Sequence, residues 1–143
     1  MASALLREYD GPDRHTPVVM AVRGPRARSL AAEIADAVTF VTSPDDSRDE
    51  LVQMAREFRA IRDIPVALHV SVVGNTVAPF MTAPDTDPAL LRAVDSLAIL
   101  PADPSAAVEE LQRCREEIGA TYVVIGSNSA DTLAPVVARL AGN

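Results

Sequence analysis

Apolar residues recur along this chain with two alternating periods. Residues 17–22 (PVVMAV) form an unbroken apolar run, the pattern of a strand buried on both faces. After Arg23-Gly24-Pro25 the spacing changes. Ala27, Leu30, Ala31, Ile34, Ala35 and Val38 then fall on one helical face, and Pro25 suits a first helical turn. A second strand is predicted over 37–42. Ser47-Arg48-Asp49-Glu50 has capping-box spacing and opens a helix whose apolar face carries Leu51, Met54, Ala55, Phe58 and Ile61. Over 65–73 the period returns to two: Val66, Leu68, Val70 and Val72 lie on one side, Ala67, His69, Ser71 and Val73 on the other. Gly74-Asn75 ends that strand, and 76–87 reads as irregular. Asp87-Pro88 caps a short helix, and Asp103-Pro104 caps a longer one stopped by Gly119. A fourth strand over 121–125 leads to a last helix from about Ser129 to Leu140, with Pro135 near its first turns or at a kink.

Four strand–helix units predict an α/β domain over 17–143, with a parallel sheet and right-handed crossovers. Residues 1–16 form a lead-in, with a helical turn or two over 3–8 and a polar loop over 9–16. Two architectures satisfy the pattern. One is an open, flavodoxin-like sheet with helices on both faces. The other is half of a (β/α)8 TIM barrel, which leaves two strand edges and one sheet face uncovered and therefore calls for a partner.

Composition narrows the functional classes. Apolar residues make up 48% of the 143 and aromatics only 3%, so the core rests on Ala, Val, Leu and Ile. A net charge of −7 argues against nucleic acid or an anionic membrane as partner. All 13 basic residues are Arg, which removes lysine Schiff-base and Walker-type chemistry. The single cysteine, Cys114, allows no intrachain disulfide, and residues 1–15 lack the pattern of a signal peptide; both point to the cytoplasm.

Candidate chemistry gathers at strand ends. Arg23, Gly24, Pro25 and Arg26 join a strand to a helix N-terminus, where free N–H groups and the dipole favour an anion; the bland reading is a turn using Gly-Pro for geometry alone. Gly126 and Ser127 follow the last strand, where barrels often bind phosphate; the alternative is a helix N-cap made by Ser127 or Ser129. His69 and Ser71 share one face of the third strand and in a barrel point inward, which makes His69 the one candidate for acid–base work beside a purely structural reading. His15 reads as a solvated residue. Neither histidine has metal-ligand spacing, so no metal is expected.

The stretch from 17 to 38 also resembles the fifth strand–helix unit of the luciferase-like monooxygenases, especially the class using the deazaflavin coenzyme F-420. Its Arg23-Gly24-Pro25 turn matches the family's x-Gly-Pro, and Ala35-Asp36-Ala37 matches the closing Ala-Asp-Gly with Ala37 in place of glycine. The run 120–126 followed by 133–142 is similar to the ending of one deazaflavin subfamily. The segment 99–118 looks like the helix before strand eight, although Pro101-Ala102-Asp103-Pro104 departs from the Gly-Thr-x-Glu-like opening.

The resemblance covers strands five to eight of the family barrel and no counterpart of strands one to four. It implies that backbone amides around Arg23 and Gly24 hold the phosphate of F-420 or FMN. It implies an oxidoreductase component for hydride transfer or monooxygenation, completed by a second copy in a homodimer or by a protein supplying the N-terminal half. The alternative is a non-catalytic α/β module that binds a protein or a small phosphorylated ligand, or a truncated remnant of such an enzyme.

Overall fold

Strands and helices alternate in the computed structural model, which describes residues 15–43 and 46–141. β1 (Val19–Val22) leads into α1 (Pro25–Ile34), β2 (Ala37–Phe40) into α2 (Arg48–Ile61), and then comes β3 (Val66–Val70). An inserted segment holds β4 (Val72–Val73), β5 (Thr76–Val77), α3 (Pro88–Ala93) and β6 (Ile99–Leu100). The chain then runs through α4 (Pro104–Ile118), β7 (Ala120–Ile125), a 3-10 turn (Ser127–Ser129) and α5 (Ala130–Leu140). The α/β reading holds: the main sheet is β1-β2-β3-β7, parallel at every step and in chain order. The predicted turn over 3–8 and most of the lead-in lie outside the described residues.

Strand register separates two faces. Met20 and Val22, Val38 and Phe40, then Val66, Leu68 and Val70 lie on the first face. Their core cluster takes in Ala31 of α1, Leu51, Ala55 and Phe58 of α2, Ala107, Cys114 and Ile118 of α4, and Leu133 and Val136 of α5. Phe40 meets Phe58 edge-on, with ring centroids 5.8 Å apart. The second face contributes nothing to this cluster. On it Val19 is 63% exposed and Tyr122 65%, Ala21 and His69 are exposed, and only small central residues such as Thr39 and Ala67 are buried. The expectation that 17–22 is buried on both faces is thus corrected: β1 lies at the sheet edge and alternates, its first face against α1 and its second outward.

The helix signals in the sequence are realised in detail. Ser47 and Glu50 form the reciprocal capping box, Asp87 accepts from Ala89 N at 2.9 Å, and Asp103 accepts from Ala106 N at 2.9 Å. Gly119 ends α4 at φ +75°, a left-handed conformation that glycine adopts without strain. Pro135 lies within α5, and Ser129 at its start makes no side-chain cap, contrary to the capping expectation for Ser127 or Ser129.

The strand predicted over 65–73 is broken. Ser71 N and Val72 N both donate to the Ala98 carbonyl, which pulls the chain out of the main sheet after Val70. β4 then pairs antiparallel with β5 and parallel with β6 in a second, three-stranded sheet. Val70, Ser71, Val72 and Val73 are all buried, so alternation ends where the partner changes. Among the described residues no helix is long and apolar enough to cross a membrane.

Candidate functional site

A parallel sheet delivers every strand's C-terminus to one end, and that end carries Arg23, Gly24, Pro25, Ser71, Gly126 and Ser127. Gly24 is the N-cap of α1, with extended backbone at φ −72° and ψ 162°, and no side chain caps the helix. Any residue adopts that conformation, so the turn geometry alone does not require glycine. Among the described residues, a Cβ built there meets nothing within 4 Å. Pro25 has no N–H, so Arg26 and Ala27 supply the free amide donors of the first turn, which holds no acidic residue. Arg26 is exposed beside them.

Arg23 faces a protein carboxylate at this rim. Its Nη1 and Nη2 donate to the two oxygens of Asp46 at 2.6 and 2.8 Å, and Nη1 also donates to the Val41 carbonyl at 3.0 Å. The hydrogen bonds from Arg23, helped by the Ser43 amide, hold the Asp46 carboxyl down to about 2 against the opposing effect of burial. Arg23 is shifted upward by the same pairing. Its guanidinium thus bridges the ends of β1 and β2.

The other predicted residues are not gathered with this turn. Gly126 is closed over: a Cβ there would lie 2.5 Å from the Ala78 Cβ and 2.7 Å from the Asn128 side-chain oxygen. Asn128 in turn donates to the Val77 carbonyl at 3.0 Å, which fastens β5 to the start of α5. Ser127 is exposed. Ser71 is buried, with its hydroxyl 3.4 Å from the Ala98 carbonyl. His69 is exposed on the second face of β3, an inner strand, beside Val124 of the edge strand β7. His15, expected to be merely solvated, lies 2.8 Å from Asp36, which also accepts from Val18 N at 2.7 Å. The Val18 amide and His15 keep the Asp36 carboxyl below its usual range.

A charged cluster under the helices escaped sequence reasoning. Arg48, buried at 5% exposure, donates to Glu117 at 2.8 Å, Asp95 at 3.1 Å and Glu110 at 2.5 Å, and its Nη2 lies 3.7 Å from the Cys114 sulfur. Burial opposes its charge, but the bonds to Glu117 and Glu110 outweigh that and leave it above its ordinary value. Burial also pushes the Cys114 thiol up to about 12, with Glu110 adding to the shift. The signal was present, because Arg48 stands on the helical stripe of Leu51, Ala55 and Phe58. Among the described residues no group of His, Cys, Asp and Glu is placed to hold a metal ion. Compared with protein-family models, curated proteins and solved structures, the chain matches none.

Proposed function

We propose that this chain is a half-barrel component of a luciferase-like oxidoreductase, which holds the phosphate of FMN or of the deazaflavin F-420 at the start of α1. The observation that carries the reading is the strand order: parallel neighbours follow in chain order, with α1, α2, α4 and α5 in one core cluster on one face. Half of a TIM barrel has this arrangement, and a second set of four strands closes it. The resemblance of residues 17–38 to the family's phosphate-binding unit selects the ligand class.

The residues present fit the phosphate end at one place. At Gly24 no described residue caps or fills the helix start, and its free amides belong to Arg26 and Ala27. The loop at Gly126, the other candidate, is filled by Ala78 and offers no such opening. A flavin or deazaflavin bound here supplies the hydride chemistry, and the chain's part is to orient it. His69 is the candidate proton-handling residue on the second face.

Isothermal titration with FMN, F-420 and inorganic phosphate tests the reading. Binding is expected, and Gly24→Val should abolish it, because the branched side chain fills the approach at a position where an added Cβ meets no described atom within 4 Å. Titration heat that is absent, or unchanged by Gly24→Val, overturns the reading. A non-catalytic α/β module is favoured by the engagement of Arg23 with Asp46 and of Ser71 with Ala98. Phosphate binding without binding of either ring-bearing cofactor would select that second reading.

A further inference from the structure

Among the described residues, neither edge of the main sheet is paired with a further strand. β1 and β7 are its edge strands, and Val19 and Tyr122 on them are 63% and 65% exposed. Natural edge strands are blunted with charges, prolines or inward-pointing polar groups, because an open ladder recruits other strands. Neither VMAV of β1 nor ATYVVI of β7 contains a charged residue or a proline. The second sheet face, bounded by these edges, likewise holds no Asp, Glu or Arg at the positions set by the register from Val19 to Val124. In a chain with 23% charged residues and a net charge of −7, the described strand residues of that face and of both edges thus include no Asp, Glu or Arg.

We infer that a second copy of this chain covers that surface, with β1 of each copy pairing in parallel with β7 of the other around a two-fold axis. The inference rests on the half-barrel reading and names the partner that reading needs. Three considerations favour a second copy. All pairings in the sheet are parallel, so the outer edge of β1 matches the outer edge of another copy's β7, and reciprocal pairing satisfies all four edges at once. A single foreign strand would satisfy one edge and leave the uncharged face in water. Two copies each carrying −7 repel, and an uncharged contact is where that repulsion costs least. α1, α2, α4 and α5, gathered on the first face, do not obstruct this approach.

Light scattering coupled to size exclusion is the first measurement. The expected mass is twice the 15.2 kDa of one chain. The pairing itself is tested by mixing Val19→Cys protein with Tyr122→Cys or Val124→Cys protein under mild oxidation. Each copy carries only one of the introduced cysteines and the native Cys114 is buried, so a cross-linked band reports contact between copies. Cross-linking should be strong in the mixtures and weak in either parent alone. Tyr122→Arg, at an exposed position, should give a monomer with an unchanged far-ultraviolet circular dichroism spectrum. A 15.2 kDa species in the parent protein, cross-links confined to Val19→Cys with itself, or a Tyr122→Arg protein that remains dimeric would each overturn the inference. A dimer that takes up no cofactor refutes the oxidoreductase reading and leaves this one standing; a monomer that binds FMN does the reverse.

Discussion

Arg23 and Asp46 clamp the ends of β1 and β2 together through two hydrogen bonds, at 2.6 and 2.8 Å, beside the open start of α1. The pair sets the charge of the candidate phosphate site, because the carboxylate neutralises the one arginine already fixed at the rim. Asp46→Asn keeps the shape and removes the negative charge. Titration with inorganic phosphate should then show affinity several-fold tighter than in the parent, while Arg23→Ala should weaken it. Equal affinities in all three proteins would place the anion elsewhere.

The same pair makes stability depend on acid. The Asp46 carboxyl sits at about 2 in the fold, below its ordinary value of 3.8. A lowered carboxylate pKa stabilises the fold above the unfolded value and loses that contribution as pH falls through the folded one. Urea midpoints should therefore drop between about pH 4 and pH 2, where Asp46 takes up its proton. Arg23→Ala should reduce this drop, and at neutral pH it should lower the midpoint only slightly, since Arg23 is exposed and solvent screens the pair.

Arg48 should matter far more for stability. Its guanidinium is buried and serves three carboxylates, so Arg48→Ala leaves acidic groups crowded without a counter-charge. Breaking such a pair costs about 3 kcal/mol or somewhat more, readable as a lower urea midpoint. Arg48→Lys should rescue little, because one ammonium cannot match the fork that reaches Glu117 and Glu110 together.

Cys114 should be inert in the fold. With its thiol pushed up to about 12 and its side chain buried, almost no thiolate is present at neutral pH. A thiol-specific chromogenic reagent should label it slowly in buffer and rapidly in urea. Fast labelling of the folded protein would show that the α2–α4 cluster opens readily.

The two strand-end glycines should respond unequally to a methyl group. Gly126→Ala drives a Cβ to 2.5 Å from that of Ala78 and should cost about 1–3 kcal/mol as the β5 hairpin shifts. Gly24→Ala meets no atom within 4 Å and should cost under about 1 kcal/mol, the ordinary difference between these residues at an N-cap. Thermal melts of the two variants make the comparison directly.

Helix starts and stops were legible because they are local. Ser47 with Glu50, Asp87, Asp103 and Gly119 act within a few residues of themselves, so spacing alone reveals them. The break after Val70 was not legible, because it depends on Ala98, a carbonyl 27 residues further along that takes both the Ser71 and Val72 amides. The glycines divide the same way. Both looked like phosphate turns, and only the position of Ala78 shows that one of them is filled.

The sequence by itself determined the alternation of strands and helices, their caps, and an α/β domain with a parallel sheet, since periodicity and capping are short-range properties of the chain. The tertiary structure alone decided the order β1-β2-β3-β7, the gathering of α1, α2, α4 and α5 on one face, and the exposure of Val19 and Tyr122 on the two edge strands. It alone also carried Arg48 of α2 to Glu110 and Glu117 of α4. These depend on which distant segments come together to bury apolar surface, and a period of two or of 3.6 carries no record of the partner.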